Sequence, residues 1–276
     1  MRLSHNLASL NIYKNYAKSV SDQSKAVNNI SLGLKVNSAK DNPNVIAQSE
    51  KIRMQIRGLQ MAGRNVQDGI SMVQTAEGGL NEMTSIVQRM RELAIQSGNG
   101  NCSTEDKVII QKEIDQLASG YEDIAKNTKF NGNKLFASVK TVNIMIGANS
   151  GENVSIPFYD LTTSVDSLKS TGINNVLGND ISGALHSIDN VLDTVLSVRD
   201  KYGAIENRLE STYDNVYEIA EKMERSDSNL TDADIALEML NYSKASILTD
   251  AGNAMMAQSN KFPQEVLNSL ANVGRK

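Results

Sequence analysis

Between Ile52 and Ala94 the chain repeats an apolar or small residue at helical spacing. The series is Ile52, Ile56, Leu59, Gly63, Val66, Ile70, Val73, Leu80, Met83, Val87, Met90 and Ala94, with no proline among them. Residues so spaced fall on one stripe of an α-helix, because 3.6 residues complete a turn. As a single helix, about 43 residues at ~1.5 Å each span roughly 65 Å. A compact ball of this chain length has a radius of gyration of only about 19 Å. The stripe therefore predicts a long rod, and a rod with an apolar stripe needs partners along its length.

The rest of the chain is read around that helix. An apolar stripe at Leu3, Leu7, Leu10, Ala17, Val20, Val27, Ile30 and Leu34 runs through many Asn, Ser and Lys residues. Its helix is expected to end near Asn37, with the next one starting after Pro43. The C-terminal block mirrors it, with Leu248, Ala251, Met255, Phe262, Val266, Leu270 and Val273, and Pro263 is expected to interrupt the last helix. Thin stripes on polar helices are marginal alone in water, so each end should pair, most simply with the other.

A third helix is expected from about Glu105 to Lys126, capped by Ser103 or Thr104, and a fourth from about Ile181 to Met223. Only the middle departs from helix. Val142, Ile144 and Ile146, then Val154, Ile156 and Phe158, alternate with other residues around a turn near Ser150-Gly151, the pattern of a β-hairpin. Pro157 marks its strand as an edge. The Ser/Thr-rich run from Thr162 to Thr171 reads as a surface connection. The fold class is mainly α: a long antiparallel helical rod or coiled-coil bundle with a small β-hairpin region, its N- and C-terminal helices paired. The expected domains are 1–42 with 235–276, and 43–234, the latter holding the hairpin at about 139–158 and a short linker at about 159–179.

Composition narrows the function. Aromatic residues make up 4% of the chain and Trp is absent, which suits extended helical packing better than a dense globular core. A net charge of −4 argues against nucleic acid, which demands a basic surface. No segment has the ~18 apolar residues of a membrane span, and the N-terminus lacks the apolar run of a signal peptide. The chain is expected to be soluble, or to leave the cell by a route that reads no cleaved signal.

Catalytic and metal patterns do not rise above background. His5 and His186 lie on different helices, outside any zinc-type spacing. Cys102 sits alone in a loop-like run, and Gly78-Gly79 lacks the context of a phosphate loop. The glycines at 58, 63, 69, 78 and 79 are read as points of close helix approach or bending. Met54, Met61, Met72, Met83 and Met90 are read as adaptable filler at helix contacts. No enzyme, metal or cofactor is expected.

Several blocks resemble bacterial flagellins: Asn37-Ser38-Ala39-Lys40-Asp41, Asn65-Val66-Gln67-Asp68-Gly69-Ile70-Ser71, Thr75-Ala76-Glu77-Gly78-Gly79-Leu80-Asn81-Glu82, Gln88-Arg89-Met90-Arg91-Glu92-Leu93-Ala94 and Phe130-Asn131-Gly132. Near the other end, Asp232-Ala233-Asp234-Ile235-Ala236 and Ala257-Gln258-Ser259-Asn260 are similar to the family's C-terminal region. The resemblance spans nearly the whole chain except about Tyr159 to Asn179, where many members carry large outer domains. It implies a minimal flagellin with the two inner domains only, secreted without a cleaved signal by the flagellar type III pathway and polymerised into the extracellular filament that drives motility.

By the same resemblance the terminal helices form an inner coiled-coil tube, with Leu3, Leu7, Leu10, Val27, Leu34, Leu248, Met255, Phe262 and Leu270 at subunit interfaces. The implied partners are other copies of the chain, an export chaperone, a hook–filament junction protein and a filament cap protein. The block around Arg89 resembles the segment that vertebrate Toll-like receptors recognise in many flagellins, which makes Gln88, Arg89, Glu92, Leu93 and Gln96 a candidate recognition surface. Thr162, Thr163, Ser164, Ser167, Ser170 and Thr171 are candidates for O-glycosylation. Two alternatives stay open: a junction or minor filament protein of the same assembly, and an enzyme carried on a helical rod.

Overall fold

The computed structural model describes residues 6–167 and 181–273. The elements in order are α1 (Leu7–Leu32), α2 (Pro43–Ser97), α3 (Thr104–Asn127), β1 (Lys129–Phe130), β2 (Asn133–Lys134), β3 (Lys140–Met145), β4 (Asn153–Phe158), α4 (Thr162–Ser167), α5 (Ile181–Thr231) and α6 (Ile235–Val273). The described chain is thus mainly helical, with two small antiparallel hairpins. It divides into two compact units. One is formed by Met1–Arg53 with Met223–Lys276, the other by Met54–Lys222. The divisions fall inside α2 and α5.

Helix ends follow local chemistry. α1 stops at Leu32 because Gly33 turns left-handed (φ 71°) and its N–H donates to Asn29 O at 2.8 Å, a conformation glycine adopts freely. This is earlier than the expected end near Asn37. α2 opens on Pro43, which needs no N–H donor in the first turn. Ser103, of the two cap candidates, begins α3 through a reciprocal capping box with Asp106. α5 outlasts the expected Met223 by continuing to Thr231, where polar side chains take over the inner face from apolar ones.

Two expectations are corrected. Pro263 does not interrupt the last helix, since α6 runs through it to Val273. Proline removes the N–H that would donate to the carbonyl four residues earlier, which is Ser259 O. That carbonyl instead accepts from Asn6 Nδ2 at 3.0 Å, so the lost bond is replaced from the neighbouring helix. The run from Thr162 is not wholly irregular either, because Thr162–Ser167 forms one short helix. Leu161 anchors it by being buried and donating its N–H to Phe136 O.

In the second unit, the α2 stripe from Val66 to Ala94 packs with Ile110, Ile114, Ala118 and Tyr121 of α3 and with Ala184, Ile188, Val195 and Tyr202 of α5. β3 and β4 pair antiparallel, as the hairpin pattern predicts, with Val142 opposite Ile156. Their apolar face closes the same core through Val154, Ile156 and Phe158. Tyr202 donates its hydroxyl to Pro157 O at 3.1 Å, and burial pushes its phenol pKa up. The β1–β2 hairpin was not expected from periodicity. Its signal is the pair Asn131-Gly132, both at positive φ (47° and 81°), the residue pair that two-residue hairpins favour.

The glycines of α2 mostly admit neighbours closely. A Cβ at Gly58 would fall 2.8 Å from Ala148 Cβ, and one at Gly79 would fall 3.0 Å from the Phe136 ring. The approaching parts are the hairpin turn and the segment after β2, not another helix. Gly63 and Gly69 face α5, at Val216 and Leu209, and a Cβ at Gly69 would fall closer still to Ile144 of β3, at 2.6 Å. Gly78 faces open space.

Candidate assembly and recognition surfaces

The first unit is built on an antiparallel pair, α1 against α6. Asn6 lies beside Ser259, Tyr16 beside Gly252, and Asn29 donates to Glu238 Oε1 at 3.2 Å. Asn6 works at both helices, accepting from Ser9 N to cap α1 while donating to Ser259. Among the described residues of α1 and α6, only Ala26 and Ala245 are buried. The seam is narrow because small and polar residues set it.

The large apolar side chains of these helices lie elsewhere. Leu7 is 71% exposed and Phe262 is 61% exposed, while Leu10, Val27, Leu248 and Met255 are also exposed. Leu240 adds to this surface, a residue that the sequence stripe omitted. Leu34 departs from the expected set. It lies beyond the Gly33 cap, half-buried, in a β-bridge with Asp232. Leu3 lies outside the described residues, as does the side chain of Leu270.

Where the chain leaves α1 and enters α6, two connections run side by side. Lys35 N donates to Thr231 O and Ala233 N to Gly33 O, each at 2.8 Å. Asp234 caps α6 by accepting from Ala236 N at 2.9 Å. Asp41 folds the Asn37–Asp41 motif by accepting from the Ser38 amide and hydroxyl, and that hydroxyl above all holds its carboxyl below the usual range. Just beyond, Asp227 is nearly buried and accepts from Ser49 Oγ and from Arg53 Nε, the latter at 2.8 Å. Burial opposes its ionisation, but these two donors together outweigh burial and lower its pKa. Sequence reading missed this trio. The signal was a carboxylate on the inner stripe of α5, four residues beyond Met223.

The candidate recognition surface is partly rearranged. Gln88, Arg89, Glu92 and Gln96 are exposed on α2, but Leu93 is only 2% exposed and belongs to the core. It sits three residues past Met90 on the inward side of the turn, so it leaves the candidate set. Arg89 pairs with Glu92 Oε2 at 3.1 Å and with Glu113 Oε1 of α3 at 3.0 Å. These acceptors, Glu113 foremost, raise the guanidinium pKa. Of the glycosylation candidates, Thr162 engages its hydroxyl with Asp160, Thr163 is exposed and Ser164 is half-buried. Ser170, Thr171 and the side chain of Ser167 lie outside the described residues. His186 is exposed on α5, His5 lies outside the described residues, and Cys102 packs against the core.

Comparison with known proteins decides the family. The model for the bacterial flagellin N-terminal helical region matches residues 3–141, and that for the flagellin C-terminal helical region matches residues 185–270. The chain belongs to the bacterial flagellins. It is 40% identical to the flagellin of Halalkalibacterium halodurans over 98% of this chain and 100% of the relative. It is 36% identical to a flagellar filament 31.3 kDa core protein of Treponema maltophilum, over 98% of this chain and 100% of that protein. A solved structure of a flagellar hook-associated protein from Vibrio parahaemolyticus shares the fold, with TM-score 0.59 at 13% identity, covering 70% of this flagellin and 100% of that chain.

Proposed function

We propose that this flagellin is the repeating structural subunit of a flagellar filament, and that its terminal helices carry subunit–subunit contact. One observation supports the reading most. The α1–α6 pair buries alanines at its own seam and leaves Leu7, Leu10, Leu248, Met255 and Phe262 in solvent. Burying such a side chain from full exposure gives about 1.5–3 kcal/mol, and a neighbouring copy that covers the exposed part of each contributes the matching share. That gain offsets the entropy of ordering long, thinly packed helices during assembly.

Family membership supports export by the flagellar type III route, with chaperone, junction and cap proteins as partners. Host-receptor recognition through Gln88, Arg89, Glu92 and Gln96 belongs to the same reading.

Electron microscopy of purified protein after seeding tests the filament. Long helical filaments are expected from the wild type, and a chain that stays monomeric overturns the proposal. Leu7→Asp and Leu248→Asp should block growth while circular dichroism shows the helices of the second unit intact.

A further inference from the structure

Two exposed faces of the second unit are complementary and unused within it. On α2, Met54, Arg57, Met61 and Arg64 repeat as Met-x-x-Arg at a seven-residue interval. All four are exposed, Met54 to 67%. Such spacing keeps side chains on one helix face, and here that face points away from buried Leu59, Ala62 and Val66. On α5, Glu210, Asp214 and Tyr217 recur at i, i+4 and i+7, and Tyr217 is 69% exposed. Beside Tyr217, Tyr213 and Asp214 line a shallow open depression. The two tyrosine rings stand 6.3 Å apart.

The two faces lie at the same level of the packed helices, because Gly63 of α2 sits against Val216 of α5. Among the described residues, Arg57, Arg64, Glu210 and Asp214 take part in no ion pair. One face therefore offers two free guanidinium groups between thioether side chains. The other offers two free carboxylates beside an exposed ring. Arginine, methionine and tyrosine are the residues that protein interfaces favour, and arginine gains further from stacking on a tyrosine face.

We propose that the Met54–Arg64 face of α2 on one copy docks on the Glu210–Tyr217 face of α5 on the next copy. This rests on the filament reading and names a contact outside the terminal helices. Every copy carries both faces, so the contact is head-to-tail, the type that builds an open filament when its rotation does not close a ring. Its charges make assembly sensitive to salt.

Charge reversal tests it, in seeded assembly followed by sedimentation. Arg57→Glu with Arg64→Glu on one face, or Glu210→Lys with Asp214→Lys on the other, should each raise the critical concentration about tenfold or more. The chain carrying all four changes should assemble like wild type, as should an equimolar mixture of the two double variants. Thermal unfolding of the monomers should be unchanged, since these groups hold no partner in the subunit. Double variants that polymerise as well as wild type overturn the contact and leave the filament reading standing. So does a fourfold variant that stays as defective as its parents. Wild-type protein that forms no filaments overturns both.

Discussion

Asp227 shows how much a single residue can tie together. Its carboxylate joins Ser49 and Arg53 near the start of α2 to the last turns of α5. Because its folded pKa is lowered, the unfolded chain binds its proton more readily than the folded one. The stabilisation is whole above about pH 4, the unfolded value, and drains away as pH falls through the lowered folded value. Asp227→Asn should cost roughly 1–3 kcal/mol at neutral pH and flatten the acid limb of the stability curve. Thermal unfolding between pH 7 and pH 2.5 checks this, and an equally steep acid limb in the variant refutes it. Periodicity marks Asp227 as inward-facing; that its partners come from α2 depends on chain segments far apart in sequence.

For single elements, the chain's own pattern goes furthest, and the glycines of α2 mark its limit. Inside a helix glycine costs about 1 kcal/mol relative to alanine. Gly78 faces open space, so Gly78→Ala should stabilise the protein by about 0.5–1 kcal/mol. At Gly58 the new methyl would fall 2.8 Å from Ala148 Cβ and 3.3 Å from its Cα. Neither atom can swing aside, so the hairpin turn must shift, at a cost of about 1–3 kcal/mol. Gly58→Ala should therefore lie below Gly78→Ala in melting temperature, and the reverse order would show that the turn yields freely. The two glycines look alike in sequence. The approach of the β3–β4 turn separates them.

Over the whole chain, the two compact units differ in how they are held. The second has a continuous apolar cluster drawn from α2, α3, α5 and the hairpins. The first buries Ala26, Ala245 and the polar groups Ser49, Asp227 and Thr231. Local opening is cheapest where few apolar contacts must break. In the monomer, amides of α1 and α6 should exchange with deuterium well before those of α2 between Val66 and Ala94. In filaments the difference should shrink as neighbours cover the terminal helices. Mass spectrometry of both states tests this, and terminal helices that are as protected as the core in the monomer would contradict it.

The amino-acid sequence by itself determined the helices, the long hairpin and the family, because these depend on residues a few positions apart or on matched blocks in order. It also marked Leu7, Leu248 and Phe262 as belonging to apolar stripes. Only the tertiary structure decided which side of each stripe the subunit uses for itself. A stripe reports that a helix has an apolar face, whereas the seam is chosen by how closely two backbones can approach. Small residues such as Ala26, Ala245 and Gly252, with Asn6 bridging to Ser259, bring α1 and α6 together and leave the larger side chains outside. The same reasoning carried Leu93 into the core and let α6 continue through Pro263, since each outcome depends on a neighbour that no local pattern names.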